Sequence, residues 1–280
     1  PMKRTLSPLD LPGSPLIAVL AQIRFSVIAS METFVPAIQD QLRRTGFPRF
    51  REERVEEMTW MVRTADGTPE IEARTQKQWV FSNAENTWSI RLTPDAVTLA
   101  TTQYGTYEKP FEEYLTMALD AIHEHATIQL VTRCGLRYVD LINPEDGYDF
   151  ADYLDERLLG FPAEELGLLE SFPFMQMRGP TDVGGFMTLR CVFVNSGEVL
   201  PPDLVGLALQ MKRAVEPGRK VALLDFDHTS HQEQAFERDR LLESLALLHD
   251  RLDIAFRATV TSDALERWAR EIVDREMANA

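Results

Sequence analysis

Trp88-Ser89-Ile90-Arg91-Leu92 alternates apolar and polar side chains, and after Pro94-Asp95 the chain resumes as Ala96-Val97-Thr98-Leu99-Ala100. Alternation with period two marks a strand with one dry face and one wet face. A connection this short cannot return the chain to a parallel neighbour, so the two strands must pair antiparallel. Outward from this hairpin, four β-rich segments, at about 55–64, 71–82, 86–93 and 96–103, are separated by Asp66-Gly67, Asn83-Ala84-Glu85-Asn86 and Pro94-Asp95. They form an antiparallel meander, and this decides the fold class.

On the N-terminal side, Leu16 to Ile28 reads as a strand after Pro-Gly-Ser-Pro. A helix follows, with Ser30 as N-cap, Phe34, Ile38 and Leu42 at helical spacing, and Gly46-Phe47-Pro48 as its end. On the C-terminal side, Phe111, Tyr114, Leu115, Ala118, Leu119 and Ile122 place one apolar stripe on a helix from Pro110 to His125. A strand from Ile128 to Ile142 then closes at Asn143-Pro144-Glu145-Asp146-Gly147. Beyond it the sequence predicts a short acidic helix at about 150–158, a Gly/Pro-punctuated region to Gly185, and strands near 186–195, 204–212 and 219–229. Two C-terminal helices are expected, one carrying Phe236, Leu241, Leu245, Leu248, Leu252 and Phe256, the other running from Asp263 to about Met277. The reading is an α+β protein with antiparallel sheet, packed helices and a helical C-terminus. Its element order hints at two related halves, 1–147 and 148–280, joined in one compact unit.

The chain has 280 residues, 44% of them hydrophobic and 26% charged, which is enough for a sizeable core. A formal charge of −15 opposes a role that depends on neutralising phosphates along a nucleic acid. The densest basic stretch, Arg43-Arg44 with Arg49, Arg51 and Arg54, is interrupted by Glu52, Glu53, Glu56 and Glu57 and reads as a solvated helix end and turn. No apolar run before Pro12-Gly13 resembles a secretory signal and no stretch is long enough for a membrane span, so a cytoplasmic, non-membrane protein is expected. Cys134 and Cys191 lie in apolar strands as small hydrophobes, with no metal knuckle or disulfide framework.

The most tempting chemical motif is Val221-Ala222-Leu223-Leu224-Asp225-Phe226-Asp227-His228-Thr229, which matches the strand-end pattern of haloacid-dehalogenase-type phosphatases. Too little chain follows to supply that family's later elements. The strand's own alternation explains the motif more simply: Ala222, Leu224 and Phe226 face one side, and Leu223, Asp225 and Asp227 the other. Asp225, Asp227 and His228 therefore stand only as subordinate catalytic candidates. A metal set drawn from them with His231 and Glu233 lacks any recognisable spacing, and His228 to Gln232 reads as a polar turn. His123 and His125 point to different helix faces. No nucleophile elbow or phosphate cradle is present, and Gly184-Gly185 reads as a hairpin turn. No cofactor and no metal is expected. Arg24, Arg133, Arg137 and Arg190 lie inside otherwise apolar strands, where a guanidinium must find a carboxylate or water. They read first as wet-face residues or structural ion pairs, and Arg24, Arg137 and Arg190 are the ligand-binding candidates.

Four segments carry a resemblance. They are Ser14-Pro15-Leu16-Ile17-Ala18-Val19-Leu20-Ala21-Gln22-Ile23-Arg24-Phe25; Gly135-Leu136-Arg137-Tyr138-Val139-Asp140-Leu141-Ile142-Asn143; Leu223-Leu224-Asp225-Phe226-Asp227; and Leu247-Leu248-His249 to Phe256 with Thr261 and Trp268. In that order they resemble the sporadically distributed family of uncharacterised prokaryotic proteins of about 250 residues. The resemblance implies a single-unit α+β protein, places Asp225 and Asp227 in a strand unrelated to dehalogenases, and brings no catalytic residues. Its scattered distribution implies genes that move, as defence or toxin-control genes do.

The motif-free acidic chain leads first to a non-enzymatic interaction or immunity/defence protein with a basic protein partner. The second expectation is a small anionic metabolite or nucleotide bound in a cavity lined by Trp79, Trp88, Phe174 and Phe186 with Arg137. The third is a metal-dependent hydrolase using Asp225 and Asp227 with His228.

Overall fold

The alternating segments assemble into one ten-stranded sheet in a computed structural model that describes residues 13–62, 69–196, 209–210 and 215–269. The strands are β1 (Leu16–Phe25), β2 (Arg49–Val62), β3 (Pro69–Ser82), β4 (Trp88–Thr93), β5 (Ala96–Thr101), β6 (Leu130–Ile142), β7 (Phe174–Pro180), β8 (Phe186–Asn195), β9 (Lys220–Ser230) and the short β10 (Gln234–Ala235). Their order is β2-β3-β4-β5-β1-β6-β9-β8-β7, with β10 against β6. Every pair is antiparallel.

The order has the same logic from both edges. In each half a lead strand (β1 or β6) takes the centre, a meander follows and zips back against it (β2 to β5, or β7 to β9), and a long helix comes next. Because β6 pairs with β1 on one side and with β9 on the other, residues on both sides of position 147 contribute to a single continuous sheet.

Helices α1 (Met31–Arg44), α2 (Phe111–Ala126) and α3 (Arg238–Thr259) cover one face, and a further helix spans 262–269. α1 packs near β3, α2 over β5, and α3 over β6 and β9. Their apolar stripes meet the dry side of the strands. Met31, Val35, Ile38 and Leu42 of α1, Leu115, Leu119 and Ile122 of α2, and Leu241, Leu245, Leu248, Leu252 and Phe256 of α3 enclose Val19, Ala21, Ile23, Leu136, Leu224 and Phe226 in one core. Burying such side chains contributes about 1.5–3 kcal/mol each, more than helix propensity could. Among the described residues the opposite face carries a small apolar cluster around Ile17, Ala18, Ala100, Val139, Leu141, Val221 and Leu223.

The structure corrects several expectations. Residues 150–158 form two single-turn 3-10 segments, Phe150–Asp152 and Glu156–Leu158, each started by an N-cap, Asp149 or Asp155, without the apolar stripe that would extend it into a longer helix. The punctuated region before Gly185 contains strand β7, which has no β-branched residue and is held by its register with β8. β2 begins at Arg49, so Arg49, Arg51 and Arg54 belong to a strand rather than a turn. Arg43 and Arg44 end α1 paired with Asp40, and Arg51 pairs with Glu53. The strand expected near 204–212 falls almost entirely outside the described residues, as does the last helix beyond 269.

The β7–β8 hairpin turns at Gly184 and Gly185, with φ values of +90° and +77°. A Cβ on Gly185 would stand 2.1 Å from the Thr229 carbonyl oxygen, whereas one on Gly184 meets nothing within 4 Å. Gly184→Ala is therefore expected to cost only the left-handed backbone penalty, about 1–2 kcal/mol. Gly185→Ala should cost distinctly more, because β9 backbone must also move. Urea denaturation of the two variants checks the ranking.

Candidate functional site

The face of the sheet opposite α1, α2 and α3 collects the polar residues that alternation turns away from the core. Register arranges them in levels across the central strands. Arg24 on β1 lies directly opposite Arg133 on β6. At the next level Thr98, Gln22, Gly135 and Thr229 line up on β5, β1, β6 and β9. The next holds Leu20, Arg137, Asp227 and Thr188, and the one after it Val139, Asp225, Arg190 and Gln176. Adjacent levels are two residues apart, roughly 6.7 Å.

Asp225 is the closed part of this surface. It is 3% exposed, and Arg137 grips it with two parallel bonds, Nε to Oδ1 at 2.7 Å and Nη2 to Oδ2 at 2.8 Å. Arg190 Nη1 donates to Oδ2 at 3.0 Å while its Nε donates to Gln176. Two guanidiniums thus satisfy one carboxylate in the forked geometry that favours such pairs. Loss of one partner would strand a buried charge, so Asp225→Ala is expected to destabilise the chain by about 3–5 kcal/mol in chemical denaturation.

The Arg24 and Arg133 end is open by comparison. Like charges directly opposite on paired strands repel. Both guanidiniums reach the same neutral atom: Arg24 Nε and Arg133 Nη1 each stand 3.4 Å from Gln22 Oε1. Arg24 also meets Asp95 at 3.3 Å. Arg133 has no carboxylate within salt-bridge distance among the described residues, and its buried Nε has no hydrogen-bond partner. Burial lowers its pKa, with Asp227 opposing and Arg24 reinforcing that shift. Gln22 is itself held, its amide nitrogen donating to Thr98 Oγ1 at 3.2 Å.

Asp227 lies between the two ends. It faces Arg137 across β6–β9 and Thr188 across β8–β9, and it makes no hydrogen bond or ion pair within 4 Å among the described residues. Burial raises its pKa above the ordinary carboxylate range, outweighing the lowering influence of Arg137 and Arg133.

The structure therefore brings Arg24, Arg137 and Arg190 to one face, together with Arg133, and sets Asp225 and Asp227 among them. His228 is directed away from both aspartates. It is buried on the helix side, where it bonds Thr181 Oγ1 at 2.9 Å and approaches the carbonyls of Gly184 and Leu248, and burial lowers its pKa. Among the described residues no group of three or more His, Cys, Asp or Glu is placed to hold a metal ion. Trp79 and Trp88 belong to the helix-side core, where Trp88 packs on Phe111 and Tyr114, whereas Phe174 and Phe186 are exposed on β7 and β8. Phe174 and Phe186 lie on the face of the sheet opposite Trp79 and Trp88, so these four aromatics do not converge. A cavity of about 350 Å³ instead lies under the β7–β8 hairpin, bounded by Met175, Met177, Met187, Leu158, Leu189 and Ala255. Cys134 and Cys191 are free and buried, with thiols pushed up to about 11 and about 12. Gln22 is the site residue that sequence reasoning missed. Its parity with Arg24 on β1 was the available signal.

No protein-family model matches the chain, and no curated protein does. No helix among the described residues is long and apolar enough to cross a membrane.

The raised pKa of Asp227 has a definite linkage sign. The folded chain holds this proton more tightly than the unfolded chain, so the associated stability is fully present below the unfolded pKa and is lost as pH rises through the folded value. Asp227→Asn is expected to be more stable than the native chain at neutral pH and to lose less stability between acidic and neutral pH. Urea midpoints across that range check it.

Proposed function

We propose that the face of the sheet opposite α1, α2 and α3 binds a small oxyanion, with Arg24 and Arg133 as its donors. The observation that carries this reading is the convergence of two in-register guanidiniums on the single neutral oxygen Gln22 Oε1, at 3.4 Å each. Both contacts are longer than a good N–H···O bond, and an anionic oxygen in that place would relieve the repulsion between the arginines. Arg24 is partly balanced by Asp95, which leaves Arg133 as the main anchor. The formal charge of −15 does not oppose the reading, because a small anion senses the local guanidiniums over a Debye length of about 8 Å rather than the whole surface.

A second reading, an interaction protein with a basic partner, has one specific observation in its favour. Large apolar side chains, among them Phe161, Leu169, Phe172, Phe174, Met177 and Phe186, are exposed between residues 161 and 186, next to the edge strand β7. Clustered exposed apolar residues mark contact surfaces more often than isolated ones. The hydrolase reading has less support, since Asp225 is committed to two arginines and His228 packs on the other side of the sheet.

Inorganic phosphate titrated calorimetrically into the native chain tests the first reading. Binding is expected to weaken as ionic strength rises. Arg133→Ala should weaken it at least about tenfold, equivalent to roughly 1.4 kcal/mol. Gln22→Glu would supply the anion from within, so this variant should melt at higher temperature than the native chain and no longer bind phosphate. A native chain that binds no phosphate, with Gln22→Glu no more stable, would sink the reading.

A further inference from the structure

The geometry points to a more specific ligand for this face: a phosphate monoester that carries a hydroxyl group, anchored by Arg24 and Arg133 through its phosphate and received by Asp227 through its hydroxyl. This inference rests on the oxyanion reading of the same site and adds the second contact.

Arg133 sets the direction. It starts from the level of Arg24, but its Nη1 reaches Gln22, one level nearer to Asp227. The phosphate position is thereby displaced along the strands towards the aspartate. From that level to the level of Asp227 is one further step, roughly 6.7 Å along the strand, and β9 lies one strand beyond β6, roughly 4.8 Å across the sheet, so the two displacements combine to about 8 Å. A three-carbon phosphate ester, extended from its phosphorus to its terminal hydroxyl, covers this distance together with the hydrogen bond to the carboxylate.

Asp227 has the chemistry to receive such a group. It is half-buried, and its carboxylate makes no hydrogen bond among the described residues, which leaves its oxygens as acceptors in search of a donor. Asp225, two residues along the same strand face, has both oxygens occupied by Arg137 and Arg190 and cannot play this part. The donor is a hydroxyl rather than an ammonium, because Arg24, Arg133, Arg137 and Arg190 share the face and would repel a ligand cation. Phosphate is preferred to carboxylate at the other end because its dianion matches two guanidiniums approaching from separate strands. The recessed position of Arg133, whose Nε has no contact with solvent, favours a soluble ester over a headgroup held in a bilayer.

Calorimetry of the full chain with three probes tests the inference: inorganic phosphate, propyl phosphate and glycerol 3-phosphate. The two esters have the same carbon skeleton and differ in hydroxyls. On the native chain glycerol 3-phosphate is expected to bind at least about fivefold more tightly than propyl phosphate, about 1 kcal/mol. In Asp227→Ala the two esters should bind equally, with propyl phosphate at least as tight as on the native chain. Asp227→Leu, which keeps the outline of the side chain but removes both acceptor oxygens, provides the same comparison if the alanine variant folds poorly. Equal affinities of the two esters for the native chain would overturn the hydroxyl contact while leaving the oxyanion site standing. Binding to phosphatidylglycerol vesicles without binding to either soluble ester would also overturn it. Failure of all three soluble probes would instead remove the oxyanion reading itself.

Discussion

The antiparallel pairing of β1 with β6 is the constraint on which the rest of the structure depends. It links the β1-led and β6-led meanders at the centre of the sheet, and its register decides which side chains enter the core. With Gln22 opposite Gly135 and Arg24 opposite Arg133, Val19, Ala21 and Ile23 go to the helices and the arginines go to the other face. A slip of one residue would turn one of the two strands over and drive Arg24, or else Arg133 and Arg137, into an apolar interior. The desolvation cost of that alternative exceeds any single packing term, so the arginines enforce the register while the core residues stabilise it. Gly135 adds a steric condition, because a Cβ there would lie 2.8 Å from Thr229 Cγ2 on β9.

The same register produces two electrostatic regimes on one surface. Asp225 and its two arginines form a satisfied, nearly dry cluster, in which Coulomb attraction offsets desolvation because the forked geometry uses both oxygens. Arg24 and Arg133, only a few residues away along β1 and β6, share one amide oxygen at long range. A structural ion-pair network would be expected to close such a gap with a carboxylate, as β9 does for Arg137. An amide at position 22 leaves Arg133 without a carboxylate within salt-bridge distance among the described residues, and the proposed oxyanion site rests on this contrast.

Most of the architecture was legible from period alone. The meander, α1, α2 and β6 were readable because long amphipathic segments bury one face each, and turn residues punctuate them at hairpin lengths. β7 was not, since Phe-Met-Gln-Met-Arg-Gly-Pro has neither β-branched residues nor a buried face, and its strand state is imposed by β8. The segment at 150–158 misled because Asp149 and Asp155 carry N-cap chemistry, which starts helical turns without providing the apolar stripe that would extend them. At the site, Arg24, Arg133, Arg137 and Arg190 drew notice as charges in apolar strands. Gln22 did not, because a neutral amide in a strand raises no such alarm, and Asp227 was noticed for its place in a phosphatase-like string.

That string shows how far local pattern can stand from local chemistry. Asp225, Asp227 and His228 are neighbours in sequence, yet pleating sends the histidine to the helix side and the aspartates to the opposite face. The two aspartates share that face without sharing a role. Asp225 sits opposite Val139 and beside Arg190, where two side chains from different strands can converge on it. Asp227 sits opposite Arg137 and beside Thr188, and Arg137 is already committed one level away. The difference between a neutralised carboxylate and an available one therefore comes from cross-strand partners supplied by β6 and β8, which lie far from Asp225 and Asp227 in the sequence. It is a property of the sheet, and a reading confined to β9 has no access to it.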